Sequence, residues 1–232
     1  MARSNLLKDV VSSNISLENI LLRLKIILSD LEDTGILKWI EGEISGYKES
    51  DNVPSYRIIE GRAVGTFFVN QSVKYNNVLV PLNFTKLTEE YIQEMITLNV
   101  RDGISTIEKN LNSESRDKLG RPIPTELCHS ISTPQLQIVS MDVMYAANDF
   151  ESITTYVKSK VIDIILTLEK NISIEAIDTL DISESIDKSP TIKREIVSVI
   201  HNLVYNDKST SVKMGDNNTV SRSKLGSFFK GK

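Results

Sequence analysis

The 232-residue chain has one cysteine, two histidines and one tryptophan. A single cysteine, Cys128, excludes an intramolecular disulfide and suits a reducing compartment. No CxxC or HxxxH spacing exists, so the patterns that hold zinc are missing and no metal or other cofactor is expected. GxGxxG, GxxxxGK(S/T) and GxSxG are absent too, which removes the common signatures of phosphate cradling and of a nucleophile elbow. No apolar run approaches the ~20 residues that cross a bilayer. The stretch Val161 to Leu168 is interrupted by Asp163. The opening MARSNLLKDVVSSN lacks the apolar core of a signal peptide, so a cytoplasmic protein with no membrane partner is expected. Aromatic residues make up only 6%, which leaves the core to Ile, Leu and Val.

What is present is ordinary for a soluble globular chain: 40% apolar and 25% charged residues. That length buries enough surface to fold without staples. The net charge of -4 excludes a protein that coats nucleic acid with its whole surface, although not one with a local basic patch.

Helical periodicity dominates the first third. Ser16 is a good N-cap, and Leu17, Ile20, Leu21, Leu24, Ile27, Leu28 and Leu31 form an apolar stripe. A short helix over Leu6 to Val11 precedes it. Asp33 or Thr34 starts a helix that ends at Ser45, before Gly46. From Tyr56 to Leu82 β-branched and aromatic residues predict two or three antiparallel strands, with turns near Asn70-Gln71 and Asn76-Asn77. Helices are expected over Leu87 to Leu98 and Ile104 to Leu111, then a polar loop from Asn112 to Pro124. Alternation predicts a strand over Leu136 to Met144. Asn148 and Glu151 suggest a capping box for a helix reaching about Asn171. Pro190 opens a last helix whose buried face reads Ile192, Ile196, Val199 and Leu203.

The chemistry is sparse. Glu41 and Glu43, two apart on a helix, point about 200° from each other and cannot share a metal ion. Cys128 next to His129 is not the geometry of a nucleophile and its base, because such pairs come from different elements. Trp39 and Tyr47 lie eight positions apart and near one helix face. They serve either packing or a recognition surface. Arg57 offers a planar fork to a carboxylate or phosphate, or pairs with Glu41 or Glu43. The candidate binding residues here are Trp39, Glu43, Tyr47, Tyr56 and Arg57. No catalytic residue is assigned.

Residues 206–232 differ in composition. Lys208, Lys213, Arg222, Lys224, Lys230 and Lys232 face only Asp207 and Asp216, and large apolar groups are few. Such a segment is either flexible or ordered by a partner. Arg222, Lys224, Phe228 and Phe229 are its candidate binding residues. The phenylalanines could stack on bases, or the tail could dock onto an acidic partner.

The stretch WIEGEISGYKESDNVPSYRIIEG, Trp39 to Gly61, resembles the AbiTii domain of bacterial abortive-infection systems. Trp39 and Glu41 on a helix, the Gly46-Tyr47 stop, and then Pro54, Tyr56, Arg57 and Gly61 before short strands carry the likeness, which covers about the first eighty residues. The resemblance implies anti-phage defence by a sensor, adaptor or effector that is not an enzyme.

Together these readings give an α+β fold, with helices packed around a small, mostly antiparallel sheet over residues 1–205. A polar basic tail occupies 206–232. The expected partner is a phage protein or a co-encoded defence protein, with homo-oligomers also expected. The alternative is a nucleic-acid-binding effector that uses the tail.

Overall fold

The computed structural model describes residues 3–12, 15–114 and 116–205. Three helices open the chain: α1 (Asn5–Ser12), α2 (Leu17–Ser29) and α3 (Thr34–Ser45). The Ser16 hydroxyl accepts the Asn19 N–H and so caps α2. The Asp33 carboxylate accepts the Ile36 N–H at 2.9 Å and starts α3. Gly46, at φ 91°, ends α3 in a conformation that side chains rarely adopt.

A 3-10 turn at Ser55–Arg57 leads into β1 (Ile58–Glu60), β2 (Arg62–Val69) and β3 (Val73–Leu79). Then follow α4 (Glu89–Ile96), β4 (Thr97–Asn99), α5 (Ile104–Leu111), β5 (Gly120–Ile123), α6 (Thr125–Ile131) and β6 (Leu136–Met144). Four helices finish the described chain: α7 (Ala147–Asn171), α8 (Ile174–Asp178), α9 (Ser183–Asp187) and α10 (Pro190–Tyr205). The larger sheet has the order β3-β2-β6-β5 and the smaller one pairs β1 with β4. Every pairing is antiparallel. The fold is α+β, as the alternation of helical and strand texture predicts.

Several local expectations fail for identifiable reasons. The helix expected to reach Leu98 ends at Ile96, because Thr97 and Leu98 pair with Glu60 and Ile59 as a strand. Asn76-Asn77 is not a turn. It lies inside β3, where Asn77 at φ 51° accompanies a register shift against β2. The reversal sits at Asn70 and Gln71, both at positive φ. The polar loop after α5 contains β5, which tolerates Pro122 because it is an edge strand. Asn148 and Glu151 make no capping box. Helix α7 starts from Ala146 without a side-chain cap, and Glu151 pairs with Arg116 at 2.5 Å. On α10 Ile196 is buried, and Ile192 and Leu203 pack partly buried against the core as expected, but Val199 is exposed and Ile200 and Val204 are buried, so the buried face is centred slightly away from the expected stripe. Helices α6, α8 and α9 have five to seven residues, too short for periodicity to register.

Two apolar cores result. One joins α1, α2, α3, the second half of α7 and α10. The other lies between the sheet, α5 and α6. Helix α7, roughly 37 Å long for its 25 residues, runs through both. Its Ile153 packs with the sheet, and Val157, Val161, Ile164 and Leu168 pack with the helices. Tyr56 touches both cores, and the candidate site is built around it.

Candidate binding cleft

The site begins with a glutamate in the wrong place for a surface helix. Glu43 lies in the last turn of α3 and is fully buried. An isolated buried carboxylate is costly, so it must be paired and hydrogen-bonded. The 3-10 turn supplies the pair. Arg57, also fully buried, donates Nη2 to Glu43 Oε2 at 2.5 Å and Nε to Oε1 at 3.1 Å. Its remaining nitrogen, Nη1, donates to the carbonyls of Asp102 at 2.7 Å and Val100 at 3.2 Å. The fork is therefore occupied by the protein itself. Of the two roles open to Arg57 in the sequence, the structure shows the pairing with Glu43.

Two tyrosines complete the carboxylate. The hydroxyls of Tyr47 and Tyr56 each donate to Glu43 Oε1 at 2.7 Å. Trp39 Nε1 donates to the Tyr56 hydroxyl at 3.0 Å. The Arg57 guanidinium carbon lies 5.1 Å from the centre of the Tyr47 ring, within cation–π reach. Burial, followed by the nearby Glu43 charge, raises both tyrosine pKa values, so both hydroxyls remain donors. Burial works against the Arg57 charge, but the bonds and charge of Glu43 outweigh it and hold the guanidinium above its ordinary value.

Above this network a cleft of about 470 Å³ opens, within the range of small-ligand or side-chain pockets. Its walls include Trp39 and four of the seven tyrosines: Tyr47, Tyr56, Tyr156 and Tyr205. Tyr156, on α7, stacks on Tyr56 with ring centres 4.2 Å apart. Tyr205, the last residue of α10, donates its hydroxyl to the Gly35 carbonyl at 2.8 Å. The loop between α3 and the 3-10 turn forms the rim. Asp51 accepts the Lys48 N–H at 3.0 Å and pairs with Lys38 at 3.3 Å. Arg101 holds the same loop through the carbonyls of Lys48 and Asp51.

The five candidates Trp39, Glu43, Tyr47, Tyr56 and Arg57 thus meet in one network. They do not play equal parts. Trp39 is 2% exposed and belongs to the helical core, so no exposed apolar patch is centred on it. Glu43 and Arg57 are beneath the surface, and Tyr47 and Tyr56 are half-buried with their rings on the cleft. Glu41, on the opposite side of α3, is exposed and pairs with Lys25. Tyr156 and Tyr205 escape sequence reading because they arrive from helices more than ninety positions away in the chain. Arg222, Lys224, Phe228 and Phe229 lie outside the described residues.

Elsewhere, Cys128 is buried and its thiol is pushed up by burial, while the neighbouring His129 is exposed. Among the described residues no group of three His, Cys, Asp or Glu is placed to hold a metal ion. Among them, no helix is long and apolar enough to cross a membrane.

The model of one protein family, described as AbiTii, matches residues 4–207. Comparison with curated proteins and with solved structures finds no match.

Proposed function

The chain belongs to the AbiTii family, whose name suggests abortive-infection phage defence, and from that premise we propose that it acts by gripping another protein in the tyrosine-lined cleft rather than by catalysis. One observation carries this reading: a concave wall of aromatic rings is held rigid from below by a carboxylate whose bonds are all made within the protein. Tyrosine and tryptophan supply large, stiff contact area with a polar tip, which is why they dominate protein-binding hot spots. The charged groups beneath are committed to one another, so the cleft selects by shape and ring contact. The partner in this reading is a phage protein or a co-encoded defence protein met in the cytoplasm, and it offers an apolar or aromatic anchor.

The test is a plaque assay paired with capture of partners from infected cells. Ser55 is an exposed residue of the 3-10 turn that lines the cleft, and Ser55→Trp fills the cleft while leaving every side chain of the Glu43 network in the sequence; unchanged urea unfolding of the variant checks that the network is intact. Cells carrying the wild type should restrict phage and yield a specific bound protein; Ser55→Trp should lose both. Full protection by the blocked variant would show that the cleft is not the working surface.

A second reading draws on the charge of residues 206–232, six basic against two acidic. A nucleic-acid-binding effector would bind with steep salt dependence, and removal of that segment would abolish the binding.

A further inference from the structure

The larger sheet has two edges, and they are finished differently. At β5, Pro122 has no N–H to offer another strand, and Arg121 is anchored on the Met95 carbonyl at 2.6 Å. Strand β3, VKYNNVL, has no proline and one charge, Lys74. All seven of its residues are exposed, and none belongs to either apolar core. Val73, Tyr75, Val78 and Leu79, with Phe84 just beyond, are five of the fifteen large apolar residues exposed among the described residues. A third of them therefore fall within twelve positions, around an edge strand whose outward N–H and C=O groups face away from β2.

What fits such an edge is another strand, and the pattern of β3 selects a second copy of itself. Pairing with β2 fixes the faces. Tyr75 and Val78 stand opposite Phe67 and Gly65 on the core face, and Lys74 and Leu79 stand opposite Phe68 and Val64 on the other. Three apart in a regular strand, Tyr75 and Val78 would point to opposite faces; the register shift at Asn76-Asn77 brings them to the same one. A two-fold axis normal to the sheet, level with the Asn76–Asn77 bond, then sets Tyr75 opposite Val78 of the second copy and Lys74 opposite its Leu79, with every face matched.

Charge permits this contact. Strand β3 holds no carboxylate, and the two copies of Lys74 end about 17 Å apart, beyond the screening length of about 8 Å in physiological salt. Each lysine lays its stem along Leu79 of the other copy. The exposed side chains of β3 and Phe84 supply on the order of 1,000 Å² over both copies, the lower bound for a specific interface. That area suits a reversible dimer rather than an obligate one.

We propose that two copies of the chain join edge to edge through β3, which extends the four-stranded sheet into an antiparallel sheet of eight. No residue of β3 lines the aromatic cleft, so the dimer and the docking reading can fail separately.

The test is sedimentation of the full chain from about 1 to about 100 μM, the range in which such a dimer forms. The wild type should pass from monomer to dimer. Two variants then probe the pairing: Tyr75→Lys/Val78→Lys and Tyr75→Glu/Val78→Glu. Each sets like charges opposite one another across the axis and should stay monomeric. Mixed in equal amounts they should form a heterodimer, which also shows that both are folded. Hydrogen exchange of the wild type gives a second reading that needs no variant: the amides of residues 73–79 should be protected more strongly at the high concentration than at the low one. A wild type that is monomeric throughout overturns the proposal. So does a dimer formed by either variant alone, or a mixture that stays monomeric although both variants are folded by circular dichroism. A wild-type dimer whose 73–79 amides exchange equally at both concentrations overturns it as well, since the contact then lies elsewhere.

Discussion

The ring of Tyr47 lies against Gly42. A Cβ built on Gly42 would sit 2.5 Å from Tyr47 Cε1 and 2.6 Å from Cζ. Glycine in a helix interior ordinarily costs about 1 kcal/mol relative to alanine, so Gly42→Ala should stabilise α3 if the helix alone mattered. Here the added methyl displaces the ring and draws the Tyr47 hydroxyl away from Glu43. The expected outcome is a loss of about 1–3 kcal/mol, the usual cost of overpacking, measured by urea unfolding. A gain in stability would mean that Tyr47 moves aside freely and that the network is not rigid.

Removal of the buried cation should be more severe. Arg57→Ala leaves Glu43 buried without its charge partner and strips the donor from two carbonyls. Breaking a buried pair on one side typically costs about 3–5 kcal/mol, a large share of a domain's stability. The variant should unfold at markedly lower urea, or fail to accumulate as folded protein. A change under 1 kcal/mol would show that water enters and solvates Glu43.

The Tyr56 hydroxyl is the junction between Trp39 and Glu43, accepting from one and donating to the other. Tyr56→Phe keeps the ring, its stack on Tyr156 and its packing against both cores. It leaves the buried Trp39 Nε1 without its acceptor, at an expected cost of about 1–3 kcal/mol. The emission of the single tryptophan should change at the same time. Unaltered emission with unaltered stability would remove Trp39 from the network.

How much of this was legible beforehand follows the length scale of each signal. The stripe on α2 and the end of α3 at Gly46 are local, and both are readable from spacing and backbone preference. The α+β architecture is likewise visible in the change of texture at Tyr56. Residues 39–57 show an unusual cluster, yet nothing in them states that Glu43 goes inward and Glu41 outward. That choice is made by Arg57 and by the Val100 and Asp102 carbonyls, which are over forty positions beyond the turn. Pro122 argues against a strand until its edge position is known. The cleft is the least legible feature, because its walls come from α3, α7, α10 and the rim loop, and no sequence pattern links them.

Acid should weaken the fold through two carboxylates that anchor distant segments. Asp33 is held below its ordinary value of 3.8, chiefly by the Ile36 N–H it caps, with His201 also in contact at 2.8 Å. Burial pushes the Glu169 carboxyl up, but bonds from Arg3 at 2.7 Å and the Ser4 N–H at 2.8 Å outweigh it and hold it below 4.5. In both cases the folded state binds protons less readily than the unfolded chain. Their contribution is fully present above the ordinary values and is lost as pH falls through the lowered ones. Glu108 works in the opposite direction: burial raises it, so the folded state takes up that proton first. The urea midpoint should fall below about pH 5. Asp33→Asn keeps a competent cap, and Glu169→Gln keeps one acceptor. Each variant should have a lower midpoint at pH 7 and a shallower decline toward pH 3, converging on the wild type at the acid end. Parallel curves over that range would assign the acid sensitivity to other carboxylates.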